Sequence, residues 1–204
     1  MPLGWIMIEV RKKYYHNGNI KYESYYLNGK RHREDGPAEI YYYDNGSIDS
    51  EIYYLNGEYH REDGPAYIEY YHSGNIKYES YYLNGKRHRE GGPAIIDYYE
   101  NGNIDSEFYY KNGLLYREDN PAIIRYYENG SILAKQYHLN DKLHRCDGPA
   151  FIRYDKNGNI KFKEYYLNDL RLTREEWFGQ LSTENKLKVA FGLNDDWSKE
   201  RILS

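Results

Sequence analysis

The chain has 204 residues, with 28 Lys and Arg against 32 Asp and Glu and a formal net charge of -4. A mildly acidic balance gives no general attraction to nucleic acid or anionic membranes, which excludes polyanions as the default partner. Its 28 tyrosines at regular spacing also exclude a disordered chain, because disorder goes with few aromatic residues.

The N-terminal residues Met1 to Val10 lack a basic region followed by a long apolar core, and no run approaches the roughly 20 apolar residues of a membrane span. The single cysteine, Cys146, has no partner for an internal disulfide and no spacing typical of a metal site. We therefore expect a soluble, cytoplasmic protein that needs no cofactor.

A seven-residue motif recurs along most of the chain, with His60-Arg61-Glu62-Asp63-Gly64-Pro65-Ala66 as its fullest form. The prolines of its copies each lie 28 residues after the last, at Pro37, Pro65, Pro93, Pro121 and Pro149. A fixed step of this size predicts a repeat architecture in which each unit buries its apolar residues against its neighbours.

Two turn signals mark each unit. In the second unit they are Asn45-Gly46 and Asn56-Gly57, and both predict hairpin turns because Asn and Gly tolerate positive φ. In the last two units Asn-Asp stands at the second turn. Each unit is therefore predicted to contain two hairpins.

The residues between these turns predict three strands per unit, because they alternate with period two and are rich in Tyr and Ile. In the second unit the expected strands are Ala38–Tyr43, Ile48–Leu55 and Glu58–His60. A three-residue loop, Asp44-Asn45-Gly46, sets their expected register. The pairs that follow are Tyr42 with Ile48, Ile40 with Ser50 and Ala38 with Ile52, and they place the recurrent apolar residues on one face.

The repeat ends near residue 171, and the pattern then favours helices. Thr173 and Glu176 form a capping-box signature, Thr183 can start a second helix that runs to Phe191, and Asn194 or Asp195 can start a third. We expect residues 1–10 to be an N-terminal capping strand, 11–171 the hairpin repeats and 172–204 a helical cap. The fold class is an all-β repeat array, an elongated antiparallel meander with a small C-terminal α-helical cap.

A row of aromatic, histidine and arginine side chains is the candidate binding surface. The two-residue turn pairs Tyr53 with His60, and the same pairing recurs with the 28-residue step. Each His is followed by an Arg that can tie down its own loop or recognise an acidic ligand. The candidate residues are Tyr25, His32, Arg33, Tyr53, His60, Arg61, Tyr81, His88, Arg89, Tyr109, Arg117, His144 and Arg145.

Metal binding and catalysis are disfavoured by the repeat itself. A metal needs three or four converging donors, whereas the repeat spreads one histidine per unit. The paired carboxylates Glu62 and Asp63 drift to Glu90-Gly91 and Cys146-Asp147 in other units, and a catalytic site has no reason to be copied and then altered in this way. We expect a protein that is not an enzyme and has no metal site.

The unit Tyr-Tyr-x-Asn-Gly-Asn-Ile-x-x-Glu-x-Tyr-Tyr-x-Asn-Gly, seen at 14–29 and 98–113, resembles the MORN-type repeat, especially the variant found in bacterial antitoxin-like proteins. The longer unit with His-Arg-Glu-Asp-Gly-Pro-Ala is similar to tandem repeats in proteins of large phages and giant viruses. The resemblance implies antiparallel hairpins used for protein association, dimerisation or lipid contact. The chain departs from that pattern in its 28-residue step and its lack of a regular basic surface.

These observations favour a non-enzymatic repeat scaffold that mediates protein–protein interaction and can form a homodimer. One alternative is a small-ligand protein that binds or sequesters a nucleotide or glycan. Another, implied by the resemblance alone, is an antitoxin or anti-defence protein that neutralises a protein target. The residues do not identify the partner, the source organism or the binding face.

Overall fold

The structure is a computed structural model that describes residues 8–191, and it is an all-β chain that ends in two short helices. The chain divides into two compact units, residues 1–113 and 114–204. The predicted third helix, and residues 1–7 of the predicted capping strand, lie outside the described residues. The first described strand, Ile8–Tyr14, runs across the predicted boundary at residue 10.

The first unit contains fourteen strands within its described residues. They are β1 (Ile8–Tyr14), β2 (Ile20–Leu27), β3 (Lys30–Arg31), β4 (Glu39–Tyr42), β5 (Ile48–Ile52), β6 (Tyr54–Leu55), β7 (Glu58–Tyr59), β8 (Tyr67–Tyr70), β9 (Ile76–Ser80), β10 (Tyr82–Leu83), β11 (Lys86–Arg87), β12 (Ile95–Tyr98), β13 (Ile104–Phe108) and β14 (Tyr110–Lys111). The main sheet has the order β1-β2-β4-β5-β8-β9-β12-β13, and each strand pairs antiparallel with its neighbours, so it is a meander.

The second unit repeats this pattern and adds the helices. Its elements are β15 (Leu114–Leu115), β16 (Ile123–Tyr126), β17 (Ile132–Gln136), β18 (His138–Leu139), β19 (Lys142–Leu143), β20 (Phe151–Tyr154), β21 (Ile160–Leu167), β22 (Leu170–Leu172), α1 (Arg174–Gln180) and α2 (Thr183–Phe191). Strands β16-β17-β20-β21-β22 form an antiparallel meander in that order. The predicted all-β repeat array with a helical cap is confirmed.

Both predicted turns are present. Gly46 has φ 88°, its N–H donates to Tyr43 O at 3.0 Å, and Tyr43 N donates to Ser47 O at 2.9 Å, which closes the three-residue loop. At the second turn Asn56 has φ 54° and Gly57 has φ 89°, as a two-residue turn with two left-handed residues requires.

The predicted register was right at the turn and wrong beyond it. Tyr42 faces Ile48, as expected, but Ser50 faces Tyr41 and Ile40 faces Glu51, not Ser50. Ile52 likewise faces Glu39, not the predicted Ala38. The cause is a β-bulge that inserts one residue, Asp49, into the second strand and moves every later pair by one position.

The predicted strand Ile48–Leu55 is two strands in the structure, β5 and β6. The break falls at Tyr53, whose N–H donates to Ala66 O at 2.7 Å while its carbonyl accepts from His60 N at 3.1 Å. The first part therefore belongs to the main sheet, and the second part pairs with β7 as a short ribbon. The bond from His60 N to Tyr53 O confirms the prediction that Tyr53 and His60 face each other.

The alanine of each motif is fully buried. Ala38 donates from its N–H to Ile52 O and accepts from Tyr25 N, each at 2.8 Å, so it joins the strands of adjacent repeats. The equivalent alanines, all with 0% exposure, are Ala38, Ala66, Ala94, Ala122 and Ala150.

Tyrosine hydroxyls add further bonds between repeats. Tyr15 donates to Tyr42 O at 2.7 Å and Tyr43 donates to Tyr70 O at 2.6 Å, and this bond recurs further along the chain. A second set links a tyrosine to a carboxylate of the preceding repeat, such as Tyr70 to Glu51 at 2.8 Å. Tyrosine thus supplies both the apolar bulk and the hydrogen bonds between units.

The helices pack on the last strands of the second unit. Thr173 and Glu176 form the predicted capping box, and α2 spans the predicted Thr183–Phe191. Trp177 is fully buried, its ring lies 4.8 Å from that of Tyr165, and its Nε1 donates to Arg145 O at 2.8 Å. No helix among residues 8–191 is long and apolar enough to cross a membrane.

Candidate functional site

The repeated motif folds into a loop held by its own arginine, here called the Arg loop (residues 33–36, 61–64, 89–92, 117–120 and 145–148). Arg61 Nε donates to Asp63 Oδ1 at 2.9 Å, and its Nη1 reaches Pro65 O at 3.4 Å. The guanidinium carbon lies 4.0 Å from the centroid of the Tyr53 ring. The arginine is therefore occupied by its own loop on one side and by a tyrosine on the other.

This arrangement recurs with small variations. The distance from the guanidinium carbon to the centroid of the tyrosine ring is 4.2 Å for Arg33 and Tyr25. It is 3.9 Å for Arg89 and Tyr81, and 3.6 Å for Arg145 and Tyr137. Asp35 and Asp147 pair with Arg33 and Arg145 in the same way. Gly91 replaces the aspartate beside Arg89, which keeps its bond to Pro93 O at 3.3 Å.

In four of the five Arg loops the residue before the proline is a glycine, which lets the arginine lie flat on the loop, and in the loop at 117–120 it is Asn120. A Cβ built at Gly64 would stand 3.0 Å from Cζ of Arg61, and the corresponding distance at Gly148 is 3.1 Å from Arg145. A Cβ at Gly36 would lie 3.2 Å from Cζ of Arg33, and a Cβ at Gly92 would lie 3.2 Å from Nε of Arg89. The guanidinium thus lies between the tyrosine ring and the glycine, and it fits there because the glycine has no side chain.

The histidines bind the next turn along the chain. Nδ1 of His60 accepts from the backbone N–H of Asn84 at 3.3 Å, and Nδ1 of His32 accepts from Asn56 at 3.1 Å. His88 and His144 do the same for Asn112 and Asn168. Because each histidine uses a ring nitrogen to join two repeats, the repeated histidine is a structural link. Among the described residues, no three His, Cys, Asp or Glu side chains form a metal-binding group.

Successive Arg loops enclose grooves of one design. Groove 1 lies between the loops at 33–36 and 60–63, groove 2 between those at 61–65 and 88–90, and groove 3 between those at 117–120 and 144–147. Their volumes are about 760, 680 and 240 Å³. Each floor carries a tyrosine and a leucine at equivalent positions, Tyr53 with Leu55, Tyr81 with Leu83 and Tyr137 with Leu139.

The rims of grooves 1 and 2 are acidic. The side chains of Glu34, Asp35, Glu62 and Asp63 are all more than four-fifths exposed. The Arg33 guanidinium lowers the pKa of Asp35, and Arg61 lowers the pKa of Asp63, mainly through their hydrogen bonds. The rim therefore stays negatively charged, and the arginines below it are already paired.

Most of the predicted row lies in these grooves. Groove 1 is lined by Arg33, Tyr53, His60 and Arg61, groove 2 by Arg61, Tyr81, His88 and Arg89, and groove 3 by Arg117, His144 and Arg145. Tyr25, His32 and Tyr109 line none of the three. Tyr25 lies under Arg33, His32 is buried at 5% exposure, and the hydroxyl of Tyr109 lies 3.4 Å from Glu107.

Sequence reasoning missed the leucines of the groove floors. Leu55, Leu83 and Leu139 each stand directly before an Asn-Gly or Asn-Asp turn with the repeat spacing, and that spacing was the signal that could have found them. Sequence reasoning also missed a second row of tyrosines, on β6, β7 and β10. There the ring centroid of Tyr59 lies 4.6 Å from that of Tyr54 and 4.8 Å from that of Tyr82, on which it stacks.

Cys146 stands in groove 3 where the other loops carry Glu. Burial and the nearby Asp147 raise the pKa of its thiol, and its sulfur lies 3.0 Å from Nε2 of His144. A raised pKa keeps a thiol protonated at neutral pH, so this cysteine is poorly suited to act as a nucleophile.

Comparison with protein families identifies a repeat family. A family model described as a MORN repeat variant matches residues 10–31, 38–56, 66–90, 96–112 and 150–168, about half of the chain. The Arg loops at 33–36 and 61–64 fall between matched segments. Among curated proteins none matches this chain.

Proposed function

Because the chain belongs to the MORN repeat variant family, we propose that it is a non-enzymatic scaffold that binds a protein partner along the grooves between its Arg loops. The observation that carries the proposal is the recurrence of one groove, with the same tyrosine, leucine, histidine and arginine positions, at the spacing of the repeat. A surface repeated in register suits a partner that makes one contact per repeat, and such contacts add along the array.

The geometry favours a protein over a small anionic ligand. Arg61 already donates to Asp63 and Pro65, and the carboxylates on the rim face solvent. A nucleotide phosphate would therefore meet negative charge before it reached a donor. Small-ligand binding, homodimerisation and a phage or antitoxin role remain predictions from the sequence.

Site-specific crosslinking tests the proposed surface. A photoreactive amino acid replaces Leu83, which is 39% exposed in groove 2, and in a matched control it replaces Leu114, which is 44% exposed and outside the three grooves. In the native cell we expect a discrete protein adduct from position 83 and a much weaker one from position 114. Equal adducts at both positions, or none at either, would refute the proposal.

A further inference from the structure

Groove 3 contains a cationic side chain from elsewhere in the same chain. Lys188 and Asn185 of α2 line it beside Asp119 and Asp147, and this groove has about 240 Å³, against about 760 and 680 Å³ for grooves 1 and 2. Lys188 Nζ also pairs with Glu184 at 2.9 Å, and Asp119 and Asp147 add to the negative charge around it. A lysine thus lines one copy of the groove.

Grooves 1 and 2 have the same acidic loops but no lysine in their linings, as far as the described residues extend. Their arginines are the loop arginines, which lie on tyrosine rings. Resting on the proposed function, we propose that grooves 1 and 2 bind the lysine or arginine side chains of an extended peptide in the partner, since Lys188 lies beside the acidic residues of the equivalent groove 3.

The spacing of the grooves limits the conformation of that peptide. Each repeat adds two antiparallel strands to the main sheet, so equivalent points advance by about 9.6 Å, twice the usual distance between strands. Adjacent Arg loops keep this step because each is bonded to the next repeat, as by Arg33 N to Tyr54 O at 3.2 Å and Arg61 N to Tyr82 O at 3.3 Å.

A polyproline II helix matches this step. It has three residues per turn and rises about 3.1 Å per residue, so every third side chain points the same way and repeats about every 9.3 Å. A β-strand would cover a similar length in three residues, but its side chains at that spacing point to opposite faces. The predicted partner segment therefore carries Lys or Arg at every third position, with proline between.

The groove floor suits such a segment. Leu55 and the part of Tyr53 that Arg61 leaves uncovered provide apolar surface beside the acidic residues of groove 1, and Leu83 and Tyr81 do the same in groove 2. Proline rings and lysine stems can pack on this surface while the ammonium groups reach Glu34 and Glu62. The site thus combines an apolar floor with a charge complementary to the partner.

Fluorescence anisotropy with labelled synthetic peptides and the full chain tests the inference. One peptide repeats Lys-Pro-Pro five times, and the control has the same composition with its lysines at irregular spacing. We expect the regular peptide to bind about tenfold more tightly, which corresponds to about 1.4 kcal/mol, and more weakly at high salt. Equal affinity of the two peptides would overturn the polyproline II match.

Charge-reversal variants locate the site. Glu34→Lys with Glu62→Lys should weaken binding of the regular peptide by about tenfold or more, because each change replaces an attraction by a repulsion. The control, Asp44→Lys with Glu100→Lys, makes the same charge change at exposed turns outside the grooves and should bind like the unmodified chain, except for a small general loss. An equal loss in both variants would overturn the assignment to the grooves.

The two proposals can fail separately. If the Leu83 position crosslinks a partner while neither peptide binds, the scaffold function stands and the basic peptide is refuted. If the regular peptide binds to the grooves while no partner is crosslinked, the site recognises this chemistry and the proposed function is refuted.

Discussion

At the scale of single residues, the Arg loop is a stack of tyrosine, guanidinium and glycine. The arginine charge is shared between an aspartate and a ring face, and the backbone of the glycine forms the other side. Such a stack fixes a long side chain without burying an unpaired charge, which would be costly. It also accounts for the glycine before the proline in four of the five loops, since a residue without a side chain leaves room for the arginine.

The stack predicts the effect of one methyl group. In Gly64→Ala the added Cβ would lie about 3 Å from Arg61 Cζ, so the guanidinium must shift by a few tenths of an ångström on the Tyr53 ring, and we expect a loss of about 1 kcal/mol. Urea unfolding measures it. The control is Gly179→Ala in α1, where the Cβ would meet no atom within 4 Å and the stability should rise slightly. A neutral Gly64→Ala would contradict the stack.

The residue scale also shows what could be read from the sequence. The Tyr53–His60 pair and the arginine's role in its loop could be predicted, because local spacing and turn chemistry determine both. The position of Lys188 at groove 3 could not, because it depends on where α2 lies relative to loops remote in sequence. The register error has a local origin: the bulge carries no constant residue signal, since its extra residue is Asp49 in one hairpin and Leu133 in another.

At the scale of elements, the second turn of each repeat forms a hydrogen bond to the preceding repeat. The N–H of Gly57 donates to Arg31 O at 2.8 Å. In a later repeat Asp141 stands at the position equivalent to Gly57 with φ 68°, which is strained for a residue with a Cβ. It compensates because its Oδ1 accepts from Leu115 N at 2.8 Å while its own N–H donates to Leu115 O at 3.2 Å.

Two substitutions at Asp141 separate these effects. Asp141→Ala keeps the backbone strain and loses the side-chain acceptor, and we expect it to cost about 1–2 kcal/mol. Asp141→Gly loses the same acceptor but relieves the strain, so its net change should stay within about 0.5 kcal/mol. Thermal melting of the two variants side by side measures the difference. Equal losses would show that the left-handed conformation carries no strain here.

The C-terminal helices offer a matched pair of aromatic residues. Trp177 is fully buried against Tyr165, whereas its neighbour Phe178 is 39% exposed. Trp177→Ala should cost about 3–5 kcal/mol, because it opens a cavity and removes the donor to Arg145 O. Phe178→Ala should cost much less. Urea midpoints for both variants test the helical cap, and similar losses would mean that it is not anchored through Trp177.

At the scale of the whole molecule, stability depends on tyrosine hydroxyls that remain protonated. Burial raises the pKa of many of them, and carboxylates that accept their hydrogen bonds raise it further, as Glu51 does for Tyr70 and Glu79 for Tyr98. For Tyr43, burial and then the nearby Asp49 raise the pKa to about 12. Further tyrosines whose pKa burial raises are Tyr42, Tyr53, Tyr54, Tyr67 and Tyr81.

This distribution predicts an alkaline loss of stability. Above about pH 10 an unfolded tyrosine ionises while the folded ones keep their protons, so the folded chain binds more protons and its stability falls as pH rises. Below that pH the contribution is fully present. We expect the urea midpoint to fall steeply between about pH 10 and 12. Phenolate absorbance of folded and unfolded chains separates this effect from lysine titration, and tyrosines that ionise alike in both states would contradict it.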